Sequence, residues 1–234
     1  MADHSISMTP AEVMALLDGS KTMVRSVVRI LPRIRAKVRS GDLSAWEHVN
    51  FGGGAGVFRI VRGERVEVRD LVGIWHPKTA IGILAPFQQR DRLWVREAWA
   101  VHHSFDGADT KRLPATPVSY LAGNAELIEA QVRRADRMPR WASRLTLHVE
   151  SVHCERLADI TLGDICAEGL AHSIYDFRPI QAGWAAWKDH CVETLGLATW
   201  EENPWVAAAK VLVVKRNIDV PFTVAGAPAE VSRG

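Results

Sequence analysis

Hydrophobic and polar positions along this chain change period several times, and each change marks an element. The first is helical. Val13, Leu16 and Leu17 share one face, Thr9-Pro10-Ala11-Glu12 ahead of them fits a capping box with proline at the first helical position, and Gly19 is a helix stop. From Lys21 the period shortens to two. "KTMVRSVVRI" is rich in β-branched residues and predicts a strand or extended segment, with Met23, Arg25, Val27 and Arg29 on one face and Thr22, Val24, Ser26 and Val28 on the other. "VFRIVRGERVEVRD" predicts a hairpin turning near Gly63-Glu64, and "RDRLWVREAWAV" a strand with Leu93, Val95 and Glu97 on one side and Trp94, Arg96 and Ala98 on the other. "RLTLHVESVHCERL" (144–157) and "NPWVAAAKVLVVKR" (203–216) are further strands. Between them Thr161 and Asp164 open a short helix ending at Gly169, and "QAGWAAWKDHCVETLG" (181–196) is an amphipathic helix with Trp184, Trp187, Cys191 and Leu195 at helical spacing.

Other stretches are less regular. Residues 103–137 are turn-rich and read as an insertion or covering loop, within which "GNAELIEAQVRRAD" predicts a short helix. "FGGGAG" is a loop without the Gly-Lys-Ser/Thr of a phosphate-binding loop or the strand-to-helix setting of a dinucleotide fingerprint. Proline, glycine, alanine and serine dominate the end of the chain, so 218–234 is expected to be a disordered tail. Short strands and a few capped helices define an α+β fold, centred on a small, mostly antiparallel sheet or barrel with flanking helices. No strong linker divides it, so residues 1–217 are expected to form a single domain with insertions at 41–85 and 103–137.

Composition narrows the function classes. Hydrophobic residues make up 47% and charged residues 24% of the 234, an ordinary globular profile. No run approaches the roughly 20 apolar residues of a membrane span, and the polar N-terminus has no leader character, so no membrane partner is expected. Cys154, Cys166 and Cys191 are odd in number and form no Cys-x-x-Cys pair, which points away from disulfides and zinc and toward a reducing cytoplasm. Cys166 and Cys191 occupy apolar helical positions, as buried thiols do. His102 and His103, read as strand residues, would face opposite ways. No motif calls for a metal or cofactor.

Charge changes the picture more. The net charge is only +2, yet Lys21, Arg25, Arg29, Arg33, Arg35, Lys37 and Arg39 fall within twenty positions containing no acidic residue. This block reads either as a footprint for a polyanion or as a solvated basic face. Nine tryptophans are many for this length. Each is core material first, but Trp141, between Arg140 and Arg144 in "MPRWASR", has the setting of a stacking platform for a base. Glu97, on an apolar strand face, calls for a cationic partner such as Arg25, or for a ligand.

Several segments together resemble a known family. "ALLDGSKTMVR", "DRLWVREAWA", "RMPRWASRLTLHVESVHCERLADIT", "DICAEGL" and "ENPWVAAAKVLVV" are similar, in that order, to the ASCH-domain proteins of the PUA-like superfamily, in the form encoded by tailed phages and prophages. The likeness covers about half the chain, and "MPRWASR" is its most specific part. It implies a PUA-like β-barrel with flanking helices, and a cleft holding Lys21, Thr22 and Arg25 opposite Glu97 and Glu168. ASCH domains are generally RNA- or nucleotide-binding modules. One branch hydrolyses the amide of N4-acetylcytidine with a lysine, a threonine three residues later and a glutamate in a later short helix. The lysine corresponds to Lys21 and the glutamate to Glu168, but Val24 stands where that branch has threonine. Arg90 stands where the family's strand-opening Gly-Asp has glycine.

Three functions are therefore expected to compete. In the first, a basic cleft binds RNA, single-stranded nucleic acid or a modified nucleotide through Lys21, Arg25, Arg29, Arg96, Glu97, Arg140, Trp141 and Arg144. In the second, the protein is an amidohydrolase or nuclease in which Lys21 is the base, Thr22 or a water the nucleophile, Glu168 or Glu97 the proton shuttle, and Arg25 the oxyanion stabiliser. In the third, the fold is a scaffold for contact with a phage or host protein.

Overall fold

The longest β-branched and apolar runs become a central five-stranded sheet. The computed structural model describes residues 2–36, 38, 45–51, 58–61, 64–67, 71–123 and 129–220. In chain order the elements are β1 (Asp3–Ser7), α1 (Pro10–Asp18), β2 (Met23–Val27), α2 (Pro32–Arg35), β3 (Glu47–Phe51), β4 (Phe58–Val61), β5 (Glu64–Glu67), β6 (Leu71–His76), β7 (Ile81–Leu84), β8 (Arg92–Arg96), β9 (Trp99–Ala100), β10 (Ser119–Tyr120), β11 (Thr146–Arg156), α3 (Leu162–Ala167), α4 (Ala182–Leu195), α5 (Leu197–Glu202) and β12 (Trp205–Val214). The central sheet runs β1-β8-β11-β12-β2. β1 lies parallel to β8 and every other pairing in it is antiparallel. The fold is thus α+β with a mixed sheet. The described strands form four separate sheets, and no closed barrel is present among them.

The local chemistry accounts for the elements. Thr9 caps α1 by accepting from the Glu12 amide, and the Glu12 carboxylate accepts from the Thr9 amide at 2.9 Å. Gly19 closes the helix at φ +86°, a left-handed position that suits glycine. Thr161 caps α3 by accepting from the Asp164 amide at 3.1 Å. β11 is bulged between Val149 and Ser151, so two residues there oppose one on β12. Apolar positions on β2, β8, β11 and β12 meet in one core with Val13 and Leu16 of α1. Trp46, Val72 and Ile74, beside and within the β3-β6-β7 sheet, belong to this core too. A smaller core joins α3 and α4 to β12 through Leu157, Ile165, Trp187 and Val206.

β1 is not readable from its sequence, a short polar segment. It is held by Asp91, whose carboxylate accepts from the Ala2 amide at 2.6 Å and the Gln88 amide at 2.9 Å. The helix expected in 123–136 is not found in its described part. Arg133 instead forms a β-bridge with Trp99, followed by one 3-10 turn over Ala135–Arg137; residues 124–128 lie outside the described residues. His102 and His103 are also not strand residues. They lie at a 3-10 turn with ring centroids 4.0 Å apart. In the expected tail, Ile218 is buried and Asp219 pairs with Arg140; residues 221–234 lie outside the described residues.

The Arg90 departure has a structural counterpart. Arg90 adopts φ +70°, the left-handed region that favours glycine, and its amide donates to the Val149 carbonyl at 2.8 Å. The turn survives because the strand pairing and Asp91 impose it. A non-glycine residue there carries roughly 1–2 kcal/mol of strain, partly offset by glycine's larger unfolded-state entropy. Arg90→Gly is therefore expected to stabilise the protein by about 0.5–1 kcal/mol, read as a rise of a few degrees in thermal midpoint by calorimetry.

Candidate functional site

The site is assembled where α1 ends, β2 begins and α3 stops. Past Gly19 the chain turns back so that the Lys21 amide donates to the Ala15 carbonyl at 2.9 Å. Lys21 then forms an antiparallel bridge with Glu168, the C-cap of α3, and the Thr22 amide donates to the Ala167 carbonyl at 2.8 Å. Gly169 permits this approach. Its φ is +85°, and a Cβ there would sit 2.7 Å from the Ala15 Cβ and 3.1 Å from that of Lys21.

The side chains follow the backbone. Lys21 is 1% exposed and Glu168 3%. The Lys21 ammonium donates to the Glu168 carboxylate and, at 3.1 Å, to the Glu168 carbonyl. It also lies 3.6 Å from Glu12 Oε1, the oxygen that the α1 cap leaves over. The other Glu168 oxygen accepts from Arg25 Nη1 at 2.5 Å, and Arg25 Nε donates to Glu155 at 2.9 Å. Asp164 stands 3.6 Å from the same guanidinium, which sits 5.6 Å from the Trp187 ring centroid. His190, one turn along α4, stacks on Trp187 and reaches Glu12 at 3.8 Å.

Glu12, Lys21, Arg25, Glu168, Trp187 and His190 face a cavity of about 370 Å³ whose remaining wall is largely apolar, with Met8, Val24, Val27, Leu157 and Val206, apart from Glu193 and a few hydroxyls. It is bordered by Ile6 and Ser7 of β1 and by Val24 and Arg25 of β2, the two edge strands of the central sheet. Cys191 also lines it, but burial, reinforced by Glu168, pushes its thiol up to about 12, so it stays protonated. Burial works against the charge on Arg25, yet Glu168 and Glu155 outweigh it and hold the guanidinium above its ordinary range. Burial alone would raise Glu155. Its hydrogen bond with His153 and the Arg25 charge outweigh burial and hold the carboxyl below the usual carboxylate range.

Of the residues singled out in the sequence, Lys21, Arg25 and Glu168 come together here. Thr22 is exposed and does not line the cavity, whereas Val24 is buried in its wall. Glu97 is buried elsewhere and held by Arg144 through bonds of 2.9 and 2.8 Å, so its expected partner Arg25 is replaced by Arg144. Arg140 pairs with Asp3 and Asp219. Trp141 packs edge-on against the buried Trp99, 6.2 Å between centroids. Arg96 lies over the Trp94 ring and donates to the Asp136 carbonyl. Arg29 is exposed on the far side of Val27. Of the basic block, Arg35 pairs with Glu202, and Lys37 and Arg39 lie outside the described residues. Glu12, Glu155, Trp187 and His190 were not singled out. The i, i+3 spacing of Trp187 and His190 was the one available signal, since it puts both on one face of α4.

No family model matches the chain, and no curated protein or solved structure matches it. Among the described residues no group of histidine, cysteine and acidic side chains could hold a metal, and no helix is long and apolar enough to cross a membrane.

Two measurements probe this network. Removing one partner of a buried pair leaves the other uncompensated. Glu168→Ala should therefore lower stability by about 3–5 kcal/mol in urea titration, while Lys21→Met combined with Glu168→Leu should recover most of that loss. The depressed Glu155 pKa adds stability that is present above its unfolded value and lost as pH falls through the folded one. The deficit of Glu155→Gln should thus be full at neutral pH and disappear on acidification below the ordinary carboxylate range.

Proposed function

We propose that the protein is a PUA-like ASCH module that binds a base or modified nucleoside of RNA or single-stranded nucleic acid in the cavity between α1, β2 and α4. The observation that carries this is the buried Lys21–Glu168 pair in the wall of a largely apolar cavity roomy enough for a base. An apolar pair of similar volume would serve folding as well, so retaining two buried charges beside an opening favours recognition. Two of the three Lys21 N–H donors go to Glu168, which leaves the third, 3.6 Å from Glu12 Oε1, and that oxygen to meet the donor–acceptor edge of a base. Both edge strands of the central sheet border the cavity, which supports the barrel-like form that the resemblance implies.

Binding is favoured over hydrolysis. Val24 offers only methyl groups where the deacetylating branch has a hydroxyl, and Thr22 lies outside the cavity. The cavity threonines are engaged, Thr9 with Glu12 and Thr194 with the His190 carbonyl. The phosphate-clamp version of the binding reading is weaker than the base-pocket version. Lys21, Arg25, Arg140 and Arg144 are each paired with carboxylates inside the protein.

Calorimetric titration with the four common ribonucleosides and N4-acetylcytidine tests this. At least one should bind, and Lys21→Met and Glu12→Gln, the latter preserving the α1 cap, should each weaken it about tenfold, the loss of one charge-assisted hydrogen bond. Unchanged affinity in both folded variants would remove the cavity from consideration. Acetate release from N4-acetylcytidine by the unaltered protein would restore the hydrolase reading. Complete failure of every nucleoside to bind would favour the scaffold reading.

A further inference from the structure

A second cavity, of about 500 Å³, lies on the other side of Val27, which lines both. Its charge balance is the opposite of the first's, although most of its wall is likewise apolar. Arg29, Arg35 and Arg156 line it against one carboxylate, Glu202, which is half-exposed and pairs with Arg35 at 3.1 Å. Arg29 has no carboxylate partner among the described residues. Arg156 is positioned rather than loose. Its guanidinium lies 4.9 Å from the centroid of the Trp205 ring, the residue opposite it in the β11–β12 ladder, and it donates to the Asn203 carbonyl at 3.2 Å. Burial lowers its pKa, with Asp159 opposing.

The first cavity is arranged against anions. Around Lys21 and Arg25 stand Glu12, Glu155, Asp164 and Glu168, more carboxylates than cations. A nucleotide entering base-first would have to put its phosphate elsewhere, and the arginine groove is a cationic recess that shares the Val27 wall.

We infer that the groove lined by Arg29, Arg35 and Arg156 binds the phosphate of a nucleotide whose base occupies the first cavity. This rests on the base-pocket reading and adds to it a nucleotide, rather than a free nucleoside, as the ligand class. Guanidinium groups suit this role because they meet phosphate oxygens with paired donors. The phosphate is either the terminal monoester of a mononucleotide or the diester of a strand.

The test uses the full chain and compares, by calorimetry at low and at physiological salt, the four ribonucleosides, their 5′-monophosphates and the matching dinucleoside monophosphates without terminal phosphate. The 5′-monophosphate or the dinucleotide should bind about tenfold more tightly than the nucleoside, with the gain shrinking as salt rises. Which of the two gains identifies the phosphate source. Arg29→Ala combined with Arg35→Ala, both exposed positions, should bring that affinity down to the nucleoside's. Nucleosides that bind with no gain from phosphate would overturn the inference and leave the base pocket standing. So would a gain that survives the double variant. If no nucleoside and no nucleotide binds, both fall together.

Discussion

The bridge between Lys21 and Glu168 is the contact on which the site depends. It joins residues 147 positions apart, by backbone and by side chain at once. The backbone part fixes where β2 starts relative to α3, and the side-chain part places two charges where almost no water reaches them. Such charges are tolerable only if each is fully paired. Lys21 has Glu168 and Glu12, Glu168 has Lys21 and Arg25, and Arg25 has Glu155, so each member's position is set by the next. Gly169 makes the close approach sterically feasible. The α1 cap then acquires a second role, because one Glu12 oxygen closes the helix while the other reaches the ammonium.

Charge partition follows from that network. The cations nearest the first cavity are neutralised from within, so the basic block between Lys21 and Ser40 is not one continuous footprint. Its first two members are buried among carboxylates, whereas Arg29 and Arg35 stand at a separate groove. Val27 divides two recesses with largely apolar walls: one holds a paired donor and acceptor among carboxylates, the other is lined by three arginines and one carboxylate. The proposed nucleotide ligand rests on this partition.

Much of the fold was legible in the sequence because its elements carry local signals. Thr9, Glu12 and Gly19 delimit α1, Thr161 and Gly169 delimit the α3 region, Gly196 ends α4, and strand alternation marks β2, β11 and β12. β1 carried no such signal, since its stability comes from Asp91 and from pairing with β8, about 90 residues away in sequence. The site was half legible. Lys21, Arg25 and Glu168 could be named from the family resemblance, but ion pairing is a tertiary fact. Periodicity placed Glu97 on an apolar face without revealing that Arg144, rather than Arg25, stands opposite. It also grouped Thr22 with Val24, although Thr22, whose amide donates to the Ala167 carbonyl, is exposed while Val24 is buried. Arg90 occupies a left-handed backbone position to which glycine is better suited, a demand that strand pairing and Asp91 impose.

The most direct test is a nitrogen-15 correlation spectrum of the full chain recorded during titration with a ribonucleotide. The account predicts that the largest shifts fall on the amides of Thr9, Ala11, Glu12, Lys21 and Glu168 and on the indole of Trp187, which donates to the Leu157 carbonyl. Shifts confined to the surroundings of Glu97, Arg140 and Arg144, with those signals unmoved, would contradict it.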